Sequence, residues 1–232
     1  MEEVELTIVM PCLNEAQTIG SCILEAQRFL LNNQVNGEIL IADNGSEDDS
    51  PIIARNLGAK VITVPQKGYG NALRAGIEAA RGNYIIMGDC DLSYDFEHLE
   101  AFLENLRRGY HLIMGNRFIG GIQKGAMPFT HQYIGVPILS WLGRIRYKTD
   151  IGDFHCGLRG FEKEAICSLQ LKSEGMEYAT EMIGAFATRG YKIREIGTVL
   201  RKDGRNGPSH LRSVRDGYRH IQFMINNPMT DC

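Results

Sequence analysis

Gly88-Asp89-Cys90-Asp91 stands directly after the apolar run Tyr84-Ile85-Ile86-Met87. Two carboxylates two residues apart can both turn toward one cation if the backbone leaves the strand there. Mg2+ and Mn2+ prefer oxygen ligands and commonly complete their shell with substrate phosphates. Asp43-Asn44-Gly45-Ser46 follows another apolar run. Asn-Gly is a turn signal, and a carboxylate at a strand end is placed to accept hydrogen bonds from a base or a ribose. Lys67-Gly68-Tyr69-Gly70-Asn71 precedes a helical pattern, so a lysine and backbone amides are expected to face phosphate at a helix N-terminus. The loop is not a P-loop, which requires GxxxxGK followed by Ser or Thr, and no GxGxxG follows the first apolar run. Both absences argue against the common dinucleotide and nucleoside-triphosphate folds.

These residues need a frame to hold them. Leu6 to Met10, Glu38 to Ala42, Val61 to Val64, Tyr84 to Met87 and His111 to Met114 read as short buried strands. Helical patterns lie between them, from about Ala16 to Leu31, from Ser50-Pro51 to Gly58, from Asn71 to Ala80 and from Phe96 to Arg108. Such alternation predicts an α/β fold with a mostly parallel sheet flanked by helices. Ligands in these folds bind at the carboxyl ends of the strands. Asn14, Asp43 and Asp89 each come just after a strand, so three polar clusters are expected on one edge. After residue 115 the alternation gives way to a Gly-rich loop and shorter elements. With no repeat and no Ser/Pro-rich linker, residues 1–232 read as a single domain.

Composition bounds the function. At 44% hydrophobic and 23% charged over 232 residues, the chain can bury a sizeable core, which excludes disorder and low complexity. Residues 1–110 carry 8 basic and 17 acidic side chains, whereas residues 111–232 carry 17 basic and 11 acidic. An acidic half and a basic half suit a site where a cation meets a polyanionic ligand. The net charge of −3 and the lack of a recognised motif exclude nucleic acid as a partner. The six cysteines form no CxxC pair and no zinc spacing, and most lie in apolar segments as reduced cytosolic thiols do. No signal peptide is visible, and the apolar stretch near Ile134 to Leu142 is about half the roughly 20 residues of a membrane span. A cytoplasmic protein, at most peripheral on a membrane, is expected.

Taken in order, Pro11-Cys12-Leu13-Asn14-Glu15, Asp43-Asn44-Gly45-Ser46, the Lys67-Gly68 loop and Asp89-Cys90-Asp91 resemble glycosyltransferase family 2, with its GT-A fold. Gly115-Asn116-Arg117-Phe118 and the run from Asp153 to Phe161 are similar to the later motifs of its dolichol-phosphate mannose synthase-like branch, which acts on polyprenyl phosphates. The resemblance covers roughly residues 4–225. It implies a nucleotide-sugar-binding half over about residues 1–115 and an acceptor-binding half over about 116–232.

Residue by residue, the resemblance implies that Pro11, Asn14 and Glu15 border the nucleotide and that Asp43 and Asn44 lie near base and ribose. Lys67 would lie near the donor's base, with Gly68 permitting close approach. Asp89 would meet the ribose or the metal-bound diphosphate, and Asp91 would ligate Mg2+ or Mn2+. A third metal ligand, a Gln in related synthases, is replaced here by Ser93, and His155-Cys156 stands where Gln-Cys is more common. Arg117 and Arg159 resemble arginines near the diphosphate or the acceptor phosphate. Arg201, Lys202 and Arg205 lie in a segment, residues 201–209, that looks like the loop closing over the donor. Glu181 matches a carboxylate that serves as general base where the acceptor is a hydroxyl.

Two segments bear on the acceptor. Residues 133–147 interleave Ile134, Val136, Ile138, Leu139, Trp141, Leu142 and Ile145 with Arg144, Arg146 and Lys148, a composition that suits an interfacial helix. Residues 213–226 place Arg215, Arg219 and His220 ahead of Phe223-Met224-Ile225. The reading that results is a metal-dependent, inverting transfer of a hexose from a UDP- or GDP-sugar to a polyprenyl phosphate. Its rivals are transfer to a sugar hydroxyl of a glycan or glycolipid, a sugar-nucleotide pyrophosphorylase, and a non-catalytic nucleotide-sugar-binding module. The pyrophosphorylase would want a Gly-rich basic first loop where Pro11 to Glu15 stands, and the binding module would be expected to lose the two aspartates. Many members of the branch continue into membrane helices after this point.

Overall fold

A computed structural model describes residues 3–205 and 213–226, with the side chains of residues 213–216 outside the description. Strand β1 (Leu6–Cys12) lies inside a seven-stranded sheet, third from one edge, and only Pro11 along it is not buried. A strand covered on both faces must be apolar on both, hence the unbroken run rather than an alternating one. Leu6, Ile8 and Met10 enter one core and Val9 the other, the two-residue period of a strand dividing them between the layers.

β1 pairs in parallel with β2 (Gly37–Asp43) and β4 (Tyr84–Met87), and β2 pairs in parallel with β3 (Lys60–Thr63). On the far side of β4 lies β6 (Arg159–Glu162), which runs antiparallel to both β4 and β5 (Leu112–Asn116). β7 (Ile193–Gly197) closes the edge in parallel with β5, giving the order β3-β2-β1-β4-β6-β5-β7. The expected mostly parallel sheet is therefore present, with one reversed strand. One hydrogen-bonded sheet runs through both halves of the chain.

Helix α1 (Ile19–Asn32) buries Ile19, Cys22, Ile23, Ala26 and Phe29, one stripe at helical spacing. It starts three residues later than the pattern from Ala16 predicts, because Glu15 to Thr18 make a turn in which Thr18 and Ile19 both donate to the Glu15 carbonyl, at 3.0 and 2.9 Å. Helices α2 (Ser50–Asn56), α3 (Tyr69–Ala79) and α4 (Glu100–Arg107) complete the first half. α4 starts at Glu100 rather than Phe96 because Tyr94, Phe96 and Leu99 are spent in the core as the chain crosses the sheet edge. The second half adds the single turn α5 (Arg117–Gly120), a π-helical turn (His131–Gly135) running into α6 (Val136–Tyr147), then α7 (Lys163–Ser168), α8 (Tyr178–Thr188) and α9 (Ser213–Asn226). Five described cysteines are free thiols, four of them buried, as expected of reduced residues. Among the described residues no helix is long and apolar enough to cross a membrane.

Candidate functional site

The parallel strands β1, β2 and β4 deliver Asn14, Asp43 and Asp89 to the same edge of the sheet. Asn14 sits in the left-handed region (φ 57°), which Asn tolerates better than most residues. Its Oδ1 accepts from the Glu47 amide at 2.8 Å, so the turns after β1 and β2 are joined. Asp43 is buried and turns both oxygens onto its own loop, Oδ2 accepting from the Gly45 amide and Oδ1 from the Ser46 amide, at 3.3 and 3.2 Å. Asn44 donates to the carbonyls of Val64 and Gln66 and accepts from the Gly68 amide at 2.8 Å, while Lys67 Nζ donates to the carbonyls of Asn44 and Gly45 at 2.9 and 3.2 Å. The Lys67-Gly68 loop is thereby strapped to the turn after β2.

That loop differs from expectation in one respect. The amides of Gly70 and Asn71 at the start of α3 both donate to the Glu174 carbonyl, at 2.9 and 3.3 Å. They are satisfied within the protein and do not form a phosphate cradle. Gly68, at φ 135°, has no room for a Cβ because the same Glu174 carbonyl lies against it. The close approach that this glycine permits is that of the chain at Glu174.

The two aspartates after β4 are held differently. Asp89 Oδ1 accepts from Tyr69 Oη at 3.1 Å, and a Cβ on Gly157 would lie 2.5 Å from Asp89 Oδ2. Burial, and then the charge of Asp91, push the Asp89 carboxyl up to about 6. Asp91 Oδ1 accepts from the Ser93 amide at 3.0 Å, and Oδ2 from Arg205 Nη2 at 2.8 Å. Arg205 also reaches Glu15 Oε1 through Nη1 at 3.0 Å and Asp203 Oδ2 through Nη2 at 3.2 Å. Burial pushes the Glu15 carboxyl up to about 7 against the pull of Arg205, and the charge of Asp91 adds to the rise. The segment carrying Arg205 is pinned by two backbone bonds, Arg201 N to the Ser93 carbonyl at 2.9 Å and Gly204 N to the Asp91 carbonyl at 2.8 Å. Arg201 itself pairs with Glu25 at 2.9 Å and with Asp95. Residues 206–209 of the expected closing loop lie outside the described residues.

A cation fits this donor set. Carboxylate oxygens of Glu15 and Asp91 converge on one guanidinium, and burial, with the charge of Asp91 adding to it, raises the Glu15 and Asp89 carboxyls, an electrostatic demand that a positive charge relieves. Among the described residues no three His, Cys, Asp or Glu side chains are grouped closely enough to hold a metal by themselves. Asp89 and Asp91 are the side chains that would hold Mg2+ or Mn2+, with the remaining positions open to phosphate oxygens.

Residues 7–169 match the family model for glycosyl transferase family 2. The chain belongs to that family. A low-salt glycan biosynthesis hexosyltransferase of Haloferax volcanii, Agl6, is 39% identical over 223 residues, covering 96% of this chain and 53% of the relative, so the chain spans about half that protein's length. A dolichyl-phosphate hexose transferase of the same organism is 30% identical over 198 residues, covering 85% of this chain and 83% of the relative. In three dimensions the chain is similar to glucosyl-3-phosphoglycerate synthase from Mycobacterium tuberculosis, in a complex with Mn2+, UDP and glucosyl-3-phosphoglycerate. The TM-score is 0.74 at 24% identity, over 95% of this chain and 78% of that one. This likeness shows the fold, which is GT-A.

Three family 2 candidates are brought near the sheet edge but spend their polar atoms internally. Arg117, on α5, makes a bidentate pair with Asp153, Nε to Oδ2 at 2.6 Å and Nη2 to Oδ1 at 2.7 Å, and Asp153 is wholly buried. Burial opposes the charge on Arg117, yet Tyr94 and Asp153 hold its pKa above the usual value. Arg159 is 1% exposed and donates only to neutral acceptors, chiefly the carbonyls of Cys156, Ala179 and Phe154 at 2.7–2.9 Å. It fastens the Asp153–Leu158 loop to α8. Glu181 accepts from the amides of Lys172 and Ser173 at 2.9 and 2.7 Å, which orders the chain ahead of α8.

Sequence reasoning passed over several partners. Tyr69 and Tyr94 flank Asp89, Tyr94 Oη accepting from the Gly157 amide at 2.7 Å. His155 stacks edge-on against His220 with ring centroids 4.6 Å apart, and His220 Nδ1 lies 2.7 Å from Thr180 Oγ1. Burial, then His220, Arg117 and Arg159, hold the His155 imidazole well below its usual pKa, so it is neutral. Glu177 at the head of α8 accepts from Arg219 Nη2 at 2.6 Å. None of these pairings leaves a signal in spacing, since each joins residues 20 or more positions apart. The side chain of Arg215 lies outside the description.

Proposed function

We propose that the chain is the catalytic unit of a metal-dependent, inverting hexosyltransferase that uses a nucleoside-diphosphate sugar and a polyprenyl phosphate. The observation that carries the reading is the placement of Asp89 and Asp91 at the carboxyl edge of the sheet, beside Glu15 and the Asp43–Asn44 turn, with a guanidinium already drawn to Asp91. The donor binds along residues 1–115, its base and ribose toward Asp43, Asn44 and Lys67, its diphosphate toward Asp89 and Asp91. Asp89 and Asp91 would hold Mn2+ or Mg2+, whose positive charge would offset that of the diphosphate leaving group.

The acceptor's phosphate oxygen attacks the anomeric carbon as the bond from that carbon to the diphosphate oxygen breaks, and the nucleoside diphosphate departs. Asp89 and Asp91 would favour departure only through the cation they hold, since their own charges repel the leaving diphosphate. Arg205, the basic side chain paired with Asp91, faces the diphosphate. Arg117 and Arg159 act by fixing the Asp153–Leu158 loop against Asp89. A phosphate acceptor is ionised at neutral pH and needs no base, which agrees with Glu181 having both oxygens committed to backbone amides. For the hydroxyl-acceptor rival, that carboxylate would first have to be released.

Support for the acceptor class comes from the dolichyl-phosphate hexose transferase relative and from an exposed apolar stripe that runs from the π-helical turn along α6. Ile134, Ile138, Trp141 and Ile145, between 51% and 60% exposed, recur at intervals of four, three and four residues. That spacing makes one face of a helix. Arg144 and Lys148 are exposed at its end. The protein is placed by this reading on the cytoplasmic face of a membrane, peripherally, with residues 116–232 toward the lipid.

Nucleotide release tests the function directly, using UDP- and GDP-sugars with Mn2+ or Mg2+, with and without a short polyprenyl phosphate. Release is expected only with the lipid phosphate, and Asp91→Asn should lower it by about 100-fold or more. Release that needs a glycan hydroxyl instead would move the acceptor to the rival class, and no release with any sugar nucleotide would end the proposal.

A further inference from the structure

Both oxygens of Asp91 are occupied, and their partners differ in kind. The Ser93 amide on Oδ1 belongs to the backbone of the turn and cannot leave without unfolding it. Arg205 on Oδ2 is a side chain that can rotate. Arg205 is held there by a second carboxylate, Glu15, and by its near neighbour Asp203, while its Nε is buried with no partner. Its stem is meanwhile fixed, since the Gly204 amide donates to the Asp91 carbonyl at 2.8 Å. The guanidinium can therefore swing while the chain beneath it stays in place.

We propose that Arg205 and the divalent cation are alternative occupants of Asp91, so that loading the metal expels Arg205 from the carboxylates and turns it toward the diphosphate. The inference rests on the reading that Asp91 ligates the cation. A divalent cation and a guanidinium drawn to the same carboxylate oxygen would repel each other across a few ångströms, which favours one occupant at a time. Exchange also avoids a cost: Glu15 and Asp91 never face each other without a positive charge between them. Arg205 in this scheme is a positioning residue, and its first effect is on metal affinity.

Mn2+ binding without nucleotide, measured by titration calorimetry, separates the possibilities. Arg205→Gln, which keeps polarity but loses charge, is expected to bind Mn2+ at least tenfold more tightly than the wild type, and Arg205→Lys to fall close to the wild type. A second readout uses the wild-type chain alone. Mn2+ should speed modification of the Arg205 side chain by an arginine-selective dicarbonyl reagent, mapped by mass spectrometry, severalfold, and the effect should vanish in Asp91→Asn. Unchanged or weaker Mn2+ binding by a folded Arg205→Gln protein would overturn the exchange, as would modification of Arg205 indifferent to Mn2+. If Asp91→Asn binds Mn2+ as the wild type does, the metal reading of Asp91 falls, and the exchange with it.

Discussion

Arg117 shows how a motif residue can be tied into the fold itself. Its guanidinium is fully paired with Asp153, and the Asp153 carboxylate also accepts from the amides of Arg117 and His155. Removing one member of a buried pair leaves the other as an unpaired buried charge, which costs about 3–5 kcal/mol. Asp153→Ala should therefore lower stability by that amount in denaturant melts, and a loss below about 1 kcal/mol would show that the pair is not what holds the loop. Asp89 and Asp91 were legible from type and spacing alone, because a strand-end DxD announces itself. Asp153 was visible only as part of a longer motif. Its partner lies 36 residues away on another element, and no local pattern encodes that pairing.

At the scale of elements, α6 is the clearest case of a face without a partner among the described residues. Its inner side packs Ser140, Gly143 and Tyr147, with Phe154 close against Gly143, while Tyr133 and the Ile134-to-Ile145 stripe look outward. Exposed patches of this kind mark interaction sites in most proteins. Trp141 is the chain's one tryptophan, so it reports on its own environment. Anionic vesicles are expected to shift its fluorescence to shorter wavelength and to carry the protein down on sedimentation, more weakly as salt rises. A Trp141→Asp and Ile138→Asp double variant should lose sedimentation at unchanged melting temperature. Sedimentation equal to the wild type would take the stripe out of the membrane reading. The helices and strands of the first half were legible from periodicity to within a few residues. The starts of α1 and α4 were not, since a tight turn at Glu15 and the burial of Phe96 overrode the apolar pattern.

Across the whole molecule, the charge asymmetry between the halves is resolved at one place. Arg201 and Arg205, from the basic half, pair with Glu25, Asp95, Glu15 and Asp91, from the acidic half. If the donor binds as proposed, it acts on a clamp between the two halves and should stabilise the fold as a unit. A nucleoside diphosphate with Mn2+ at about 100 times its Kd should add about 2.7 kcal/mol. For a chain of this size that corresponds to a rise of about 5–11 °C in melting temperature. Omitting Mn2+ should remove most of the rise. No rise with either UDP or GDP would deny the donor site.

Residue types and spacing alone determined the α/β class, the edge on which the polar clusters collect and the family's linked motifs. The reason is that strand burial, turn chemistry and paired carboxylates are local properties of the chain. Only the tertiary structure decided that β6 runs backwards between β4 and β5, that the amides of Gly70 and Asn71 donate to Glu174, and that Arg117, Arg159 and Glu181 hydrogen-bond to Asp153, to carbonyls and to backbone amides. Only it brought Arg205 onto Asp91. Those outcomes depend on which distant groups meet in three dimensions, where each buried donor must find an acceptor and each buried charge its opposite.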